Sequence, residues 1–294
     1  MQKKELELTG TGLYYEKHKD YIEITRVQGF VSQVQIPEVI EELPVKILAR
    51  KAFLSHKQIR RVSLPDTLTE IGDWCFAYCN QLEQVVFPKR EITFGKAVFL
   101  ECDRLSKLVI EGEDEGVAAL LAAATQIDAY YLLNVMEAGT EEWLTKWDAR
   151  MLDVLHRPDQ EGFSRQVLCG EEDYGSTDLN AFMESRRRDK VRLLLLRRLY
   201  NRGLAEGVRI EIEQYLQEHT KGCESEETWQ VLLQEHGNDS RYYQLFTELS
   251  CVTEDNFGDI LKDMGEDYPE MKAYFMKYKD AQIGYFDFFG ELEL

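Results

Sequence analysis

The chain has no C-x-x-C pair: its six cysteines, Cys75, Cys79, Cys102, Cys169, Cys223 and Cys251, are widely scattered. That spacing argues against a zinc ribbon, a redox dithiol or a disulfide-dense secreted module, and favours reduced, mostly buried thiols. Long apolar runs are missing as well. "VAALLAAA" at Val117–Ala124 falls far short of the ~18 residues a membrane span needs. Behind the lysines of "MQKKELELTG" there is no apolar segment of the secretory kind, so the expectation is a cytoplasmic protein with no membrane partner. Basic charge is scarce: 35 Lys+Arg stand against 54 Asp+Glu, a net charge of −19. So acidic a chain is repelled by phosphate backbones, which argues against a nucleic-acid partner. The histidines at 18, 56, 156, 219 and 236 form no H-E-x-x-H, and there is no G-x-S-x-G, phosphate-binding loop or G-x-G-x-x-G. The expectation is no catalytic residue, no cofactor and no metal.

The acid is unevenly placed. Residues 1–112 carry 16 Lys+Arg and 16 Asp+Glu, whereas 113–294 carry 19 against 38 and hold the whole net charge. With "EGEDEG" supplying loop residues at the step, two domains are expected, 1–112 and 113–294.

What the first part does have is a repeat. Phe53, Phe76 and Phe99 are spaced by 23 residues. Leu48, Ile71 and Phe94 precede them; Ile59, Leu82 and Leu105 follow, then Val62, Val85 and Leu108, then Leu64, Phe87 and Ile110. A period of 20–29 residues with one short strand per turn marks a solenoid. Alternate strand residues point to opposite faces, so Val62/Leu64 and Val85/Phe87 turn inward, and stacked coils convert each column into a continuous apolar ladder. Cys79 and Cys102 fall on one such ladder. Pro37 after "VQI" closes an earlier, longer unit.

At these residues the likeness becomes specific. "LPDTLTEIGDWCFAYCNQLEQVVFP" resembles a BspA-like leucine-rich repeat, I-P-x-x-V-x-x-I-G-x-x-A-F-x-x-C-x-x-L-x-x-V, and the segment before it is similar to the entry segment of such domains. Two departures mark the edges: Ser55-His56 stands where the first unit should have Cys, and Glu111 replaces the closing proline. The resemblance implies about three 23-residue coils plus an N-terminal cap, used as a recognition surface.

From Gly116 onward helical spacing takes over. "EGVAALLAAA", "IDAYYLLNVMEAG" (ending at Gly139) and "EEWLTKWDARMLDVL" read as helices, the last with Trp143, Trp147, Met151 and Leu155 on one face. Ser176 or Thr177 is expected to cap a long helix through "LNAFMESRRRDKVRLLLLRRLY", followed by "LAEGVRIEIEQYLQEH" and two helix–turn–helix pairs. The fold class is therefore α+β: a short leucine-rich-repeat solenoid, then an all-α domain of helix hairpins, either an alpha-solenoid or a bundle. The apolar helix at Val117–Ala124 follows the last coil closely enough to cap its open end.

Two charged stretches need weighing. "GEEDYGSTD" at Gly170–Asp178 is acid-rich but lacks the spacing of an EF-hand, and a solvated loop explains it more simply. In the 184–202 helix Val191, Leu194, Leu195 and Leu199 form an apolar stripe flanked by arginines, which neighbouring acidic helices would pair. A phosphate or RNA surface there is the weaker alternative.

The candidate protein-binding face is the outward side of the strand ladder: Gln33, Gln35, Arg61, Ser63, Gln84, Val86, Lys107 and Val109. The functional expectation is a non-enzymatic protein-interaction module or scaffold, binding a protein through this face, the helical hairpins or both. An extracellular adhesin-like binder, which needs an export signal, and an enzyme with a site in the helical part remain as alternatives.

Overall fold

The computed structural model describes residues 3–8, 10–163 and 178–283. They divide into two compact units, Met1–Arg150 and Met151–Leu294. Cys169 and most of the "GEEDYGSTD" stretch lie outside the described residues.

The first unit is the repeat. It begins with an antiparallel meander, β1 (Lys3–Leu8), β2 (Thr11–Lys17) and β3 (Ile22–Gly29). One sheet continues from it in parallel through β6 (Leu43–Leu48), β8 (Glu70–Ile71) and β10 (Thr93–Phe94), with β5 (Val39–Ile40) hairpinned onto β6. The other sheet is four parallel strands in the order β4 (Gln33–Gln35), β7 (Arg61–Ser63), β9 (Gln84–Phe87) and β11 (Lys107–Ile110). Each coil thus contributes one short strand to each sheet. The first coil is longer because it holds the β5–β6 hairpin.

The apolar columns behave as the period predicts. Phe53, Phe76 and Phe99 stack with centroids 4.7 and 5.4 Å apart. Val62, Leu64, Val85, Phe87, Leu108 and Ile110 are all buried. Phe94 is only half-buried because β10 is the free edge of its sheet, where its ring leans on Phe87 at 5.7 Å. The sulfur column follows the period too: the Cys79 and Cys102 thiols each donate, at 3.1 Å, to the carbonyls of Phe53 and Phe76 one coil earlier. His56 occupies that column in the first coil, its Nδ1 accepting the Ile59 N–H at 3.2 Å.

Two features of the coil follow from its tight corners. Lys51, Trp74 and Ala97, and likewise Ser55, Tyr78 and Glu101, take left-handed φ values between 50° and 63°. Six non-glycine residues in this region is a strained arrangement that stacking imposes. Gly72 and Gly95 are different: a Cβ on either would lie within 2.5 Å of backbone nitrogen in the neighbouring coil, at Arg50 and Asp73 respectively. Only glycine lets the coils approach so closely.

The open end of the stack is covered within the same unit. Asp114 accepts the Val117 N–H at 2.9 Å and starts α1 (Glu115–Ala124), which packs on β11 and is buried from Gly116 to Ala124. A helix that is apolar all round must be buried all round, and the Trp147 indole, donating to the Leu120 carbonyl at 2.9 Å, closes its other side. Trp147 belongs to α2 (Glu141–His156), whose Trp143, Trp147, Met151 and Leu155 are all buried as expected.

The expected helix over "IDAYYLLNVMEAG" does not form: only one 3-10 turn, Tyr130–Leu132, is present. Asp128 is left-handed at φ 52°, and the Asn134 carboxamide accepts the N–H groups of Met136 and Glu137. That local side-chain competition replaces the helical ladder.

The second unit is helical: α3 (Leu179–Leu199), α4 (Glu206–Glu218), α5 (Glu227–His236), α6 (Ser240–Glu248), α7 (Glu254–Met264) and α8 (Pro269–Tyr278). The cap of α3 is Asp178, which accepts the Asn180 N–H at 2.8 Å, in place of the expected Ser176 or Thr177. Helix α3 touches α4, α5 and α6. Trp229, Phe246 and Phe275 cluster at 5.7–6.4 Å in the core.

The arginines of α3 are largely structural. Arg187 bridges Asp159 and Glu227, Arg192 pairs with Glu235, and Arg198 with Glu213 of α4. The apolar stripe is broader than expected: Leu193 is buried beside Val191, Leu194 and Leu195, whereas Leu199 is half-buried. Arg197 is buried too, donating to the carbonyls of Tyr200 and Arg202 just past the helix end.

Candidate functional site

The four-stranded sheet brings the eight expected face residues into a grid. In register across β4, β7, β9 and β11 lie Gln33, Arg61, Gln84 and Lys107 in one row, and Gln35, Ser63, Val86 and Val109 in the other. Between the rows, Val34, Val62, Val85 and Leu108 point inward and are buried. Alternation puts all eight on the outward face, where Gln33, Gln35 and Arg61 are exposed and the other five half-buried.

The register is held by backbone and side chain together. The N–H groups of Arg60 and Arg61 both donate to the Ser32 carbonyl, those of Glu83 and Gln84 to Arg60, and those of Ser106 and Lys107 to Glu83. Beside the grid runs a second 23-residue ladder, with Lys57 donating to Asn80 at 3.5 Å and Asn80 to Asp103 at 3.3 Å.

The charges of the grid are not equivalent. Lys107 sits 2.6 Å from Glu115 in the first turn of α1, so that end of the row is neutralised by the capping helix. Sequence reasoning missed Glu115, although a strand followed at once by an Asp-capped acidic helical turn was its signal. Arg60 lies 3.5 Å from Glu83. Arg61 has no ion pair among the described residues, which leaves one unneutralised guanidinium near the middle of the face. The second row is aliphatic on β9 and β11. At its other end, past β4 and β7, Gln35, Pro37, Glu38, Pro65 and Asp66 help line a shallow open depression of about 410 Å³. Chemically, this surface offers carboxamides and one guanidinium in line, a parallel strip of small apolar side chains, and an open dip lined in part by two acidic residues.

The cysteines behind the sheet are inert at neutral pH. Burial pushes the Cys79 thiol up to about 11 and the Cys102 thiol up to about 12. His56 is shifted the other way, its imidazolium disfavoured by the same burial. No helix among the described residues is long and apolar enough to cross a membrane.

Comparison with known proteins bears on this unit. Residues 28–120 match the model of the BspA type leucine rich repeat region in six copies. Among curated proteins none matches the chain. Solved structures do: a leucine-rich repeat protein of T. pallidum is 32% identical over 32% of this chain and 45% of its own, with a TM-score of 0.31. A leucine rich cell surface protein of Faecalibacterium prausnitzii is 21% identical over 36% of this chain and 31% of its own, TM-score 0.31. A leucine-rich repeat protein of Bacteroides capillosus is 23% identical over 39% of this chain and 91% of its own, TM-score 0.30. The chain thus spans less than half the length of the first two. The repeat family suggests a protein-interaction or adhesin-like role.

Proposed function

We propose that the protein is a non-enzymatic interaction module that binds a partner polypeptide on the outward face of the four-stranded sheet. The observation that carries this reading is the two-row grid, with Arg61, which has no ion pair among the described residues, between the carboxamides of Gln33 and Gln84. Side chains in register on a stack of coils form a rigid surface that needs little ordering on binding, which favours affinity. The row of donors suits a partner segment rich in carboxylates or free carbonyls, and the Val86–Val109 strip suits small apolar side chains beside it. Lys107 contributes less than its charge suggests, because Glu115 already holds it.

The test is a pull-down from a lysate of the source cells with the full chain beside a Gln33→Glu, Arg61→Glu, Gln84→Glu variant. Circular dichroism and melting temperature verify that the variant is folded. A protein enriched by the intact chain and lost by the variant supports the reading. The same protein retained by both would move the binding element to the helical unit and overturn it.

A further inference from the structure

The N-terminal meander carries a cluster that the recognition face does not use. Glu16 on β2 and Glu23 on β3 are directly opposite one another in the antiparallel register. Like charges facing across a strand pair destabilise it unless a cation lies between them. His18 follows β2 by one residue, so period-two alternation aims it to the same side as Glu16. Its Nε2 lies 2.9 Å from a Glu23 carboxylate oxygen. The ring is held in place twice: the backbone turns tightly, with the His18 N–H donating to the Tyr21 carbonyl, and the imidazole stacks on the Tyr21 ring at 4.3 Å and 12°. One donor atom from each of Glu16, His18 and Glu23 lies within 4.8 Å of the other two.

The geometry points to a divalent metal site at Glu16, His18 and Glu23, selective for Zn2+ and its first-row neighbours. One imidazole with two carboxylates suits a borderline ion; Ca2+ and Mg2+ prefer all-oxygen shells. In a tetrahedral zinc site with bonds near 2.0 Å the donors stand about 3.3 Å apart, so only small side-chain rotations are needed from the present positions. On binding, the metal takes the position now spanned by the His18 Nε2–Glu23 hydrogen bond, with the imidazole bound through Nε2 and its N–H on Nδ1. The ion bonds both glutamates and removes their mutual repulsion. Three protein donors leave a fourth position to water or to a donor from another molecule.

The experiment is titration of the chelator-treated full chain with ZnCl2 by calorimetry, and with CoCl2 by visible absorption, for wild type, His18→Gln and Glu16→Gln. The Glu16 side chain has no hydrogen bond or ion pair among the described residues, so Glu16→Gln removes a ligand without breaking a side-chain contact even if the His18 change disturbs the turn. The expected result is one equivalent bound by wild type, with ligand-field bands in the Co2+ spectrum. Affinity should fall by at least about tenfold in either variant, and Zn2+ should raise the melting temperature of wild type alone. No binding below millimolar Zn2+, or equal binding by wild type and both variants, would overturn the site. In the first case the His18–Glu23 hydrogen bond alone holds the cluster together; in the second the metal sits elsewhere on the chain.

Discussion

The Cys102 thiol donates to the carbonyl oxygen of Phe76 at 3.1 Å, one coil earlier in the stack. Cys79 makes the same bond to Phe53. Each carbonyl already accepts a backbone N–H, Phe53 from His56 and Phe76 from Cys79, so each thiol adds a second bond to the same oxygen in the buried interior. Because burial raises both thiols to about 11 and about 12, they stay protonated in the folded chain while free thiols ionise near pH 8.5. Their contribution to stability is fully present below about pH 8.5 and is lost as the pH climbs towards 12. Denaturant melts between pH 7 and 11 should show this fall, and a thiol reagent at pH 8 should label the half-exposed Cys223 well before Cys79 or Cys102.

His56 gives the opposite limb. It stands in the cysteine column with its Nε2 buried and without a partner among the described residues. Its burial depresses the folded-state pKa below the unfolded value near 6.5, so the folded chain binds fewer protons than the unfolded one. Stability should therefore drop as the pH falls below about 6.5. His236, also depressed by burial, adds to the drop. In His56→Cys the acid-side loss should shrink, as measured by melting temperature from pH 7.5 to 5; an unchanged slope would assign the effect to other groups.

The coil corners can be probed by paired substitutions. Glu101 is exposed and left-handed at φ 54°. Glu101→Gly should raise stability by up to about 1 kcal/mol, and Glu101→Val should lower it, because a β-branched side chain is least tolerant of that backbone. Gly72→Ala should cost about 2 kcal/mol or more, since its Cβ meets the Arg50 backbone nitrogen at 2.5 Å. Equal effects at Glu101 and Gly72 would contradict the distinction between strained backbone and close approach.

The Arg187–Glu227 pair, at 2.9 Å, tests the arginine helix. Glu227 is almost fully buried, so Arg187→Ala should cost about 3–5 kcal/mol by stranding its carboxylate. The double change Arg187→Met, Glu227→Leu should cost far less. If the single change were silent, the arginines would be free for a ligand rather than committed to the fold.

What could be read from the sequence was what repeats in residue type. The phenylalanine, cysteine and strand columns share one period, and that period orders the grid from Arg61 to Val109, whereas Gln33 and Gln35 precede it by a longer coil of 28 residues. The left-handed corners were invisible because none of Lys51, Trp74, Ala97, Ser55, Tyr78 and Glu101 is glycine; stacking, not local preference, sets their φ. The 127–139 segment misled because its apolar spacing fits a helix while Asn134 supplies a competing turn. Glu16, His18 and Glu23 were missed because a search for helical ligand spacing does not look across a hairpin. The i, i+2 step from Glu16 to His18 on a strand, with an acid returning on the partner strand, was the available signal.

The measurement that tests the central claim most directly is the affinity of the captured partner for three forms of the full chain. These are wild type, the Gln33→Glu, Arg61→Glu, Gln84→Glu variant, and a control altered on the exposed residues Glu184, Arg186 and Glu254 of the helical unit. The sheet-face variant should bind at least about tenfold more weakly, as like-charge placement at an interface costs several kcal/mol, while the control stays within about twofold of wild type. A partner held fully by the sheet-face variant and lost by the control would contradict the account.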